Sequence, residues 1–108
     1  MSYCRVVGSE PRVELLYFVD CPNWQLAEAR LSEAAGHFGL EVSHRLISTA
    51  DDAEAAGFIG SPTIRIDGID PFANGTEKVG LTCRLYATPD GVAGAPTVEQ
   101  IEAALGFA

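Results

Sequence analysis

The chain has 108 residues, 47% of them hydrophobic, with fifteen acidic against seven basic side chains and a formal net charge of -8. That length closes one modest core and not two, and an acidic chain with scattered bases excludes a large phosphate-binding surface, because nucleic-acid affinity draws on clustered Lys and Arg. No stretch approaches the roughly 18 uninterrupted apolar residues of a membrane span, and the opening segment MSYCRVVGSE lacks the charged-then-apolar layout of a signal peptide, so a cytoplasmic protein without nucleic-acid or membrane partners is expected.

Residues 1–11 show no sustained period and end in Ser9-Glu10-Pro11, which reads as a flexible leader ahead of one domain over 12–108. Residues 13–19 are an apolar run of strand length, too continuous for a half-exposed strand, so they predict a central strand covered on both faces. Asp20-Cys21-Pro22 breaks the run, and proline's fixed φ and missing N–H suit the first helical position. The helix that follows carries Trp24, Ala27, Leu31, Ala34 or Ala35, and Phe38 on one face and ends at Gly36 or Gly39. Residues 41–47 alternate as a second strand, with Val42, His44 and Leu46 on one side. Thr49 followed by Asp52 resembles a capping box and opens a short Ala-rich helix that stops near Gly57.

Next come Gly60-Ser61-Pro62, a β-branched strand from Thr63, and the hairpin signal Asp67-Gly68. Residues 69–80 form a polar loop too long for the tight turn that signal suggests, which either wraps the surface or serves the site. Residues 81–87 predict a last strand antiparallel to the one before it, Pro89-Asp90-Gly91 a turn, and Thr97 with Gln100 the cap of a final helix through Leu105. The resulting β-α-β-α-β-β-α order implies an α/β fold with a mixed sheet of about four strands and helices on both faces.

This order resembles the thioredoxin superfamily over nearly everything from residue 13 to 105. Cys21-Pro22-Asn23-Trp24, directly after the first strand, resembles the family's Cys-x-x-Cys site, and Gly60-Ser61-Pro62-Thr63-Ile64 resembles the segment carrying its cis-proline. Trp24 stands where the second cysteine of the pair would be, which rules out a dithiol mechanism within this motif and leaves a monothiol type. The chain is also similar to small bacterial thioredoxin-like proteins with Cys-Pro-x-Trp and an Asp-Pro-Phe segment, some labelled organomercurial lyases. The resemblance implies a cis bond at Ser61-Pro62 that keeps the Ser61 N–H and C=O facing the thiol, free to pair with an extended substrate.

Cys21 is the leading catalytic candidate, because free N–H groups in a helix's first turn and the positive end of its dipole favour a thiolate. Asp20 modulates that preference, since a carboxylate held near a thiol opposes its ionisation. Trp24 either packs in the core or walls the thiol and offers a substrate platform, and with Ser61 and Pro62 it makes up the candidate substrate-binding set. Cys83 shares a strand face with Leu81 and Leu85, which favours a small buried hydrophobe; the sharper reading is a resolving thiol that a loop shift brings to Cys21, requiring Cα atoms within roughly 7 Å. Cys4 reads as an incidental exposed thiol. His37 and His44 lack metal-ligand spacing with any cysteine, so no metal site or cofactor is expected. Asp70-Pro71-Phe72 either anchors the long loop or rims the thiol, and Arg65 and Arg84 read as solvated surface charge or as positive potential for an anionic thiol.

These residues lead to a thiol-disulfide oxidoreductase acting on a small thiol or a protein thiol or disulfide. The alternatives are a non-catalytic binding module that pairs with a partner or a second copy through an edge strand, and capture of a soft metal or organomercurial by thiolates.

Overall fold

The structure is a computed structural model that describes residues 11–106; Cys4 and the expected leader, apart from Pro11, lie outside them. Strand β1 (Val13–Tyr17) pairs parallel with β2 (Val42–Leu46) and antiparallel with β3 (Thr63–Ile66), giving a mixed sheet in the order β2-β1-β3. The apolar run of β1 has the two-faced burial its sequence predicts. Val13 and Leu15 enter one core with Ala27, Leu31, Ile64 and Ile101, whereas Leu16 enters a second with Ile47, Ala53 and Phe58.

Helix α1 (Asn23–His37) lies over the first core and meets α3 (Val98–Gly106), burying Ala27, Leu31, Ala34 and Ala35. Arg30 of α1 ties the helix to the chain entering α3 by donating to the carbonyls of Ala95 and Pro96 at 3.2 and 3.1 Å. Phe38 does not extend the buried face. The helix ends at His37, and Phe38 becomes its cap with φ -102°, which turns the ring outward to 46% exposure. Helix α2 (Ala50–Ala56) starts on Thr49, whose hydroxyl accepts from the Asp52 N–H at 3.0 Å, and ends at Gly57, whose φ of 65° lets the chain reverse. The final helix closes its capping box reciprocally: the Gln100 N–H donates to the Thr97 hydroxyl at 3.1 Å and the Thr97 N–H to the Gln100 amide oxygen at 2.9 Å.

The last part of the sheet departs from the expected order. Asp67 and Gly68 do make a tight turn, with φ of 55° and 82°, but the chain pairs back only at Ile69 before residues 70–80 leave the sheet. Residues 81–87 are not an antiparallel fourth strand. Cys83 forms a single parallel bridge with Ser61, and the chain then enters a separate hairpin, β4 (Tyr86–Thr88) with β5 (Gly91–Ala93). The cause is local: Pro62 has no N–H to offer a ladder, so the pairing rests on Ser61 alone.

Candidate functional site

Three segments converge at one end of the sheet: the turn leaving β1, the buried segment 60–63 that leads into β3, and residues 82–86. In the first, the Cys21 N–H donates to the Phe18 carbonyl at 3.0 Å, and the Phe18 N–H donates to the Ser61 hydroxyl, also at 3.0 Å. These bonds fix the turn between strand and helix, with Pro22 as the residue before the first turn of α1. Cys21 sits at this junction, 1% exposed, with its sulfur 3.6 Å from the Ser61 carbonyl oxygen. Asp20 is exposed on the preceding turn.

The Ser61-Pro62 peptide bond is cis. Its surroundings are not open in the way the resemblance implies. The Ser61 N–H donates to the Thr82 carbonyl at 2.7 Å, and the Ser61 carbonyl accepts from the Arg84 N–H at 2.8 Å, so both main-chain groups are engaged within the chain. The Pro62 carbonyl accepts from the Tyr86 hydroxyl, and the Gly60 carbonyl accepts from the Thr63 hydroxyl at 2.6 Å. Residues 60–63 are buried, and their Gly60, Ser61 and Pro62 carbonyls all accept hydrogen bonds.

Between the same two segments, Cys21 and Cys83 are joined by a disulfide with Cα atoms 5.7 Å apart, within the usual range of about 4.4 to 6.8 Å. No loop shift is required to bring them together. Cys83 is also not the buried hydrophobe that its face-sharing with leucines favours: Cys83 is exposed and Leu85 is 66% exposed. The alternation along 83–86 is the reverse of the hydrophobic reading, with Arg84 and Tyr86 inward.

Arg84 is 6% exposed and paired with Asp70, and it also donates to the Thr63 hydroxyl at 3.4 Å and lies 4.6 Å from the Tyr86 ring centroid. Burial works against its charge, but the hydrogen bond it donates to Asp70 and the fields of Tyr86, Asp70 and Glu77 outweigh it and raise the guanidinium pKa. Burial likewise pushes the Tyr86 phenol well above its ordinary value, leaving the hydroxyl a donor to Pro62. Arg84 is therefore an internal strut, not solvated surface charge. Arg65 donates to the Ala56 and Gly57 carbonyls at 2.7 and 3.2 Å, closing the end of α2. Asp70 accepts from the Phe72 N–H at 2.9 Å, and the Phe72 ring meets Tyr86 edge-on at 5.6 Å, so Asp70-Pro71-Phe72 anchors the loop. The Asp70–Arg84–Tyr86 strut was missed in the sequence; its only signal is a polar residue at every second position of a segment otherwise rich in leucine.

Trp24 is half-buried and stacks on Tyr17 with ring centroids 4.6 Å apart. His37 pairs with Glu102 across α1 and α3, and His44 with Glu28 at 3.2 Å. Among the described residues, no three His, Cys, Asp or Glu side chains gather as a metal site, and no helix is long and apolar enough to cross a membrane. Beside the exposed Cys83 lies an open groove of about 620 Å³ lined by Ile59, Phe72, Lys78, Val79, Leu85 and Ala87 among others. No family model matches the chain, and no curated protein or solved structure matches it either.

Proposed function

We propose that the chain is a thioredoxin-like thiol-disulfide oxidoreductase that works by making and breaking the Cys21–Cys83 bond. The observation that carries this reading is the pairing of a cysteine at the start of a helix, just before its Pro22 cap, with a second, exposed cysteine. The β-α-β-α-β element order supports the same reading, with Cys83 bridged to Ser61 just ahead of β3. The cycle is then a two-thiol one, in which Cys83 takes the part that Trp24 vacates within the Cys-Pro-x-Trp motif. Two external thiols reduce the pair and leave as one disulfide; the reverse reaction reduces a small-molecule or protein disulfide. No cofactor is needed, and a reducing cytoplasm supplies the thiols.

The test is a redox titration in glutathione buffers, read by alkylating free thiols, together with turnover of a protein disulfide such as insulin. Reversible titration is expected, with turnover lost in both Cys21→Ser and Cys83→Ser. A pair that stays oxidised in excess dithiothreitol, or turnover that survives either substitution, leaves only a structural cross-link. A second reading rests on the same convergence: once reduced, two thiolates this close suit a soft thiophilic cation. Stoichiometric mercuric-ion binding that needs both cysteines, without disulfide turnover, would favour it.

A further inference from the structure

The two sulfurs of the bond are not equivalent, and the geometry points to Cys83, not Cys21, as the atom through which external thiols and disulfides react. This rests on the exchange reading above and specifies its direction. Thiolate attack on a disulfide requires approach to the sulfur under attack, and Cys21 is 1% exposed between β1, α1 and the buried segment 60–63. Cys83 is exposed beside the groove that Val79 and Leu85 line. Its own N–H and C=O make no backbone hydrogen bond among the described residues, since the bonds to Ser61 come from Thr82 and Arg84.

Leaving-group chemistry points the same way. Attack at one sulfur expels the other, and the better leaving thiolate departs faster. Cys21 lies one residue before the Pro22 cap of α1, at the positive end of the helix dipole, which favours a negative sulfur, whereas among the described residues Cys83 lies in a segment that no helix directly follows. In the first step an external thiolate bonds to the Cys83 sulfur, the Cys21–Cys83 bond breaks, and the electron pair leaves on Cys21, which then takes a proton. A second external thiol attacks the mixed disulfide, leaving Cys83 reduced and releasing the external disulfide. Microscopic reversibility makes Cys83 the nucleophile toward an incoming disulfide and Cys21 the resolving thiol, the reverse of the roles the helix position alone suggests.

The experiment uses the full chain with Cys4→Ser throughout, so that a third thiol does not intervene. Oxidised protein is mixed with glutathione, quenched with acid and alkylating agent, and mapped by peptide mass. Glutathione is expected on Cys83 with Cys21 alkylated; glutathione on Cys21, or equally on both, overturns the assignment. If resolution outruns the quench, the reduced Cys21→Ser and Cys83→Ser chains decide the matter by their rates with glutathione disulfide. The chain retaining Cys83 is expected to react about tenfold or more faster, and equal or inverted rates overturn the proposal. An inverted order with intact insulin turnover removes only this assignment, whereas absence of turnover removes the exchange reading itself.

Discussion

Half-buried Asp70 shows how much of the site depends on single side chains. It pairs with an Arg84 that is 6% exposed and also accepts from the Phe72 N–H, so it holds the long loop and the 82–86 segment together. Asp70→Ala leaves a guanidinium buried without its counter-charge, and removing one partner of such a pair costs about 3 kcal/mol or more. A urea unfolding midpoint unchanged by this substitution would show that solvent reaches Arg84. Gly60 is a second such point. Its φ of 127° lies in the region that side chains avoid, and a Cβ there would stand 3.0 Å from the Arg84 Cβ and 3.3 Å from the Thr82 hydroxyl. Gly60→Ala therefore meets both backbone strain and a packed neighbour, and a loss of about 2 kcal/mol is expected by the same measurement. The sequence offered Asp70-Pro71-Phe72 as a loop anchor and Gly60 as part of the proline segment, but not their contacts with Arg84, because that residue comes from 14 and 24 positions further along the chain.

Elements whose signals are local were legible. Thr49 with Asp52 and Thr97 with Gln100 announce their helices because each cap joins a side chain to a backbone group three residues away. The two-faced burial of β1 was legible for a similar reason, its own run of apolar residues. The facing of 83–86 was not, since hydrophobicity places Leu85 inside, whereas the strut from Arg84 to Asp70 and the Tyr86 bond to Pro62 turn the segment over. At this scale the packing of α1 on α3 carries a pH signature. His37 in the last turn of α1 pairs with Glu102 of α3, and that hydrogen bond, reinforced by the charge of Glu102, raises the imidazole pKa above its ordinary 6.5. A raised folded-state value means the pair stabilises fully below the unfolded value and is lost as pH rises through the folded one. Stability should therefore decline in the wild-type chain as pH rises from the ordinary histidine value through the raised one, and His37→Gln should flatten that slope. Parallel pH profiles of the urea midpoint for the two chains would rule out this contribution.

The Cys21–Cys83 bond acts on the whole molecule because it spans 62 positions and joins the β1–α1 turn to the segment before the last hairpin. Among the described residues that segment is also held by the Ser61 pairing, the Arg84 bonds to Asp70 and Thr63 and the Tyr86 hydroxyl on Pro62. They are short-range and satisfied without the disulfide, so reduction should leave the three-stranded sheet and its two cores intact. What reduction changes first is the unfolded chain, which regains the freedom of a loop of this length; the chain-entropy relation puts that at about 4 kcal/mol of lost stability. Urea unfolding of the Cys4→Ser chain with and without dithiothreitol should show this decrease, and Cys83→Ser should match the reduced chain without responding to the reductant. Hydrogen exchange separates the two levels of the effect. The amides of Ser61 and Arg84, which bridge the segments, should lose more protection on reduction than the amides pairing β1 with β2. Equal loss at both places would mean that the bond secures the entire fold, and a protein held in that way could not cycle its disulfide without unfolding.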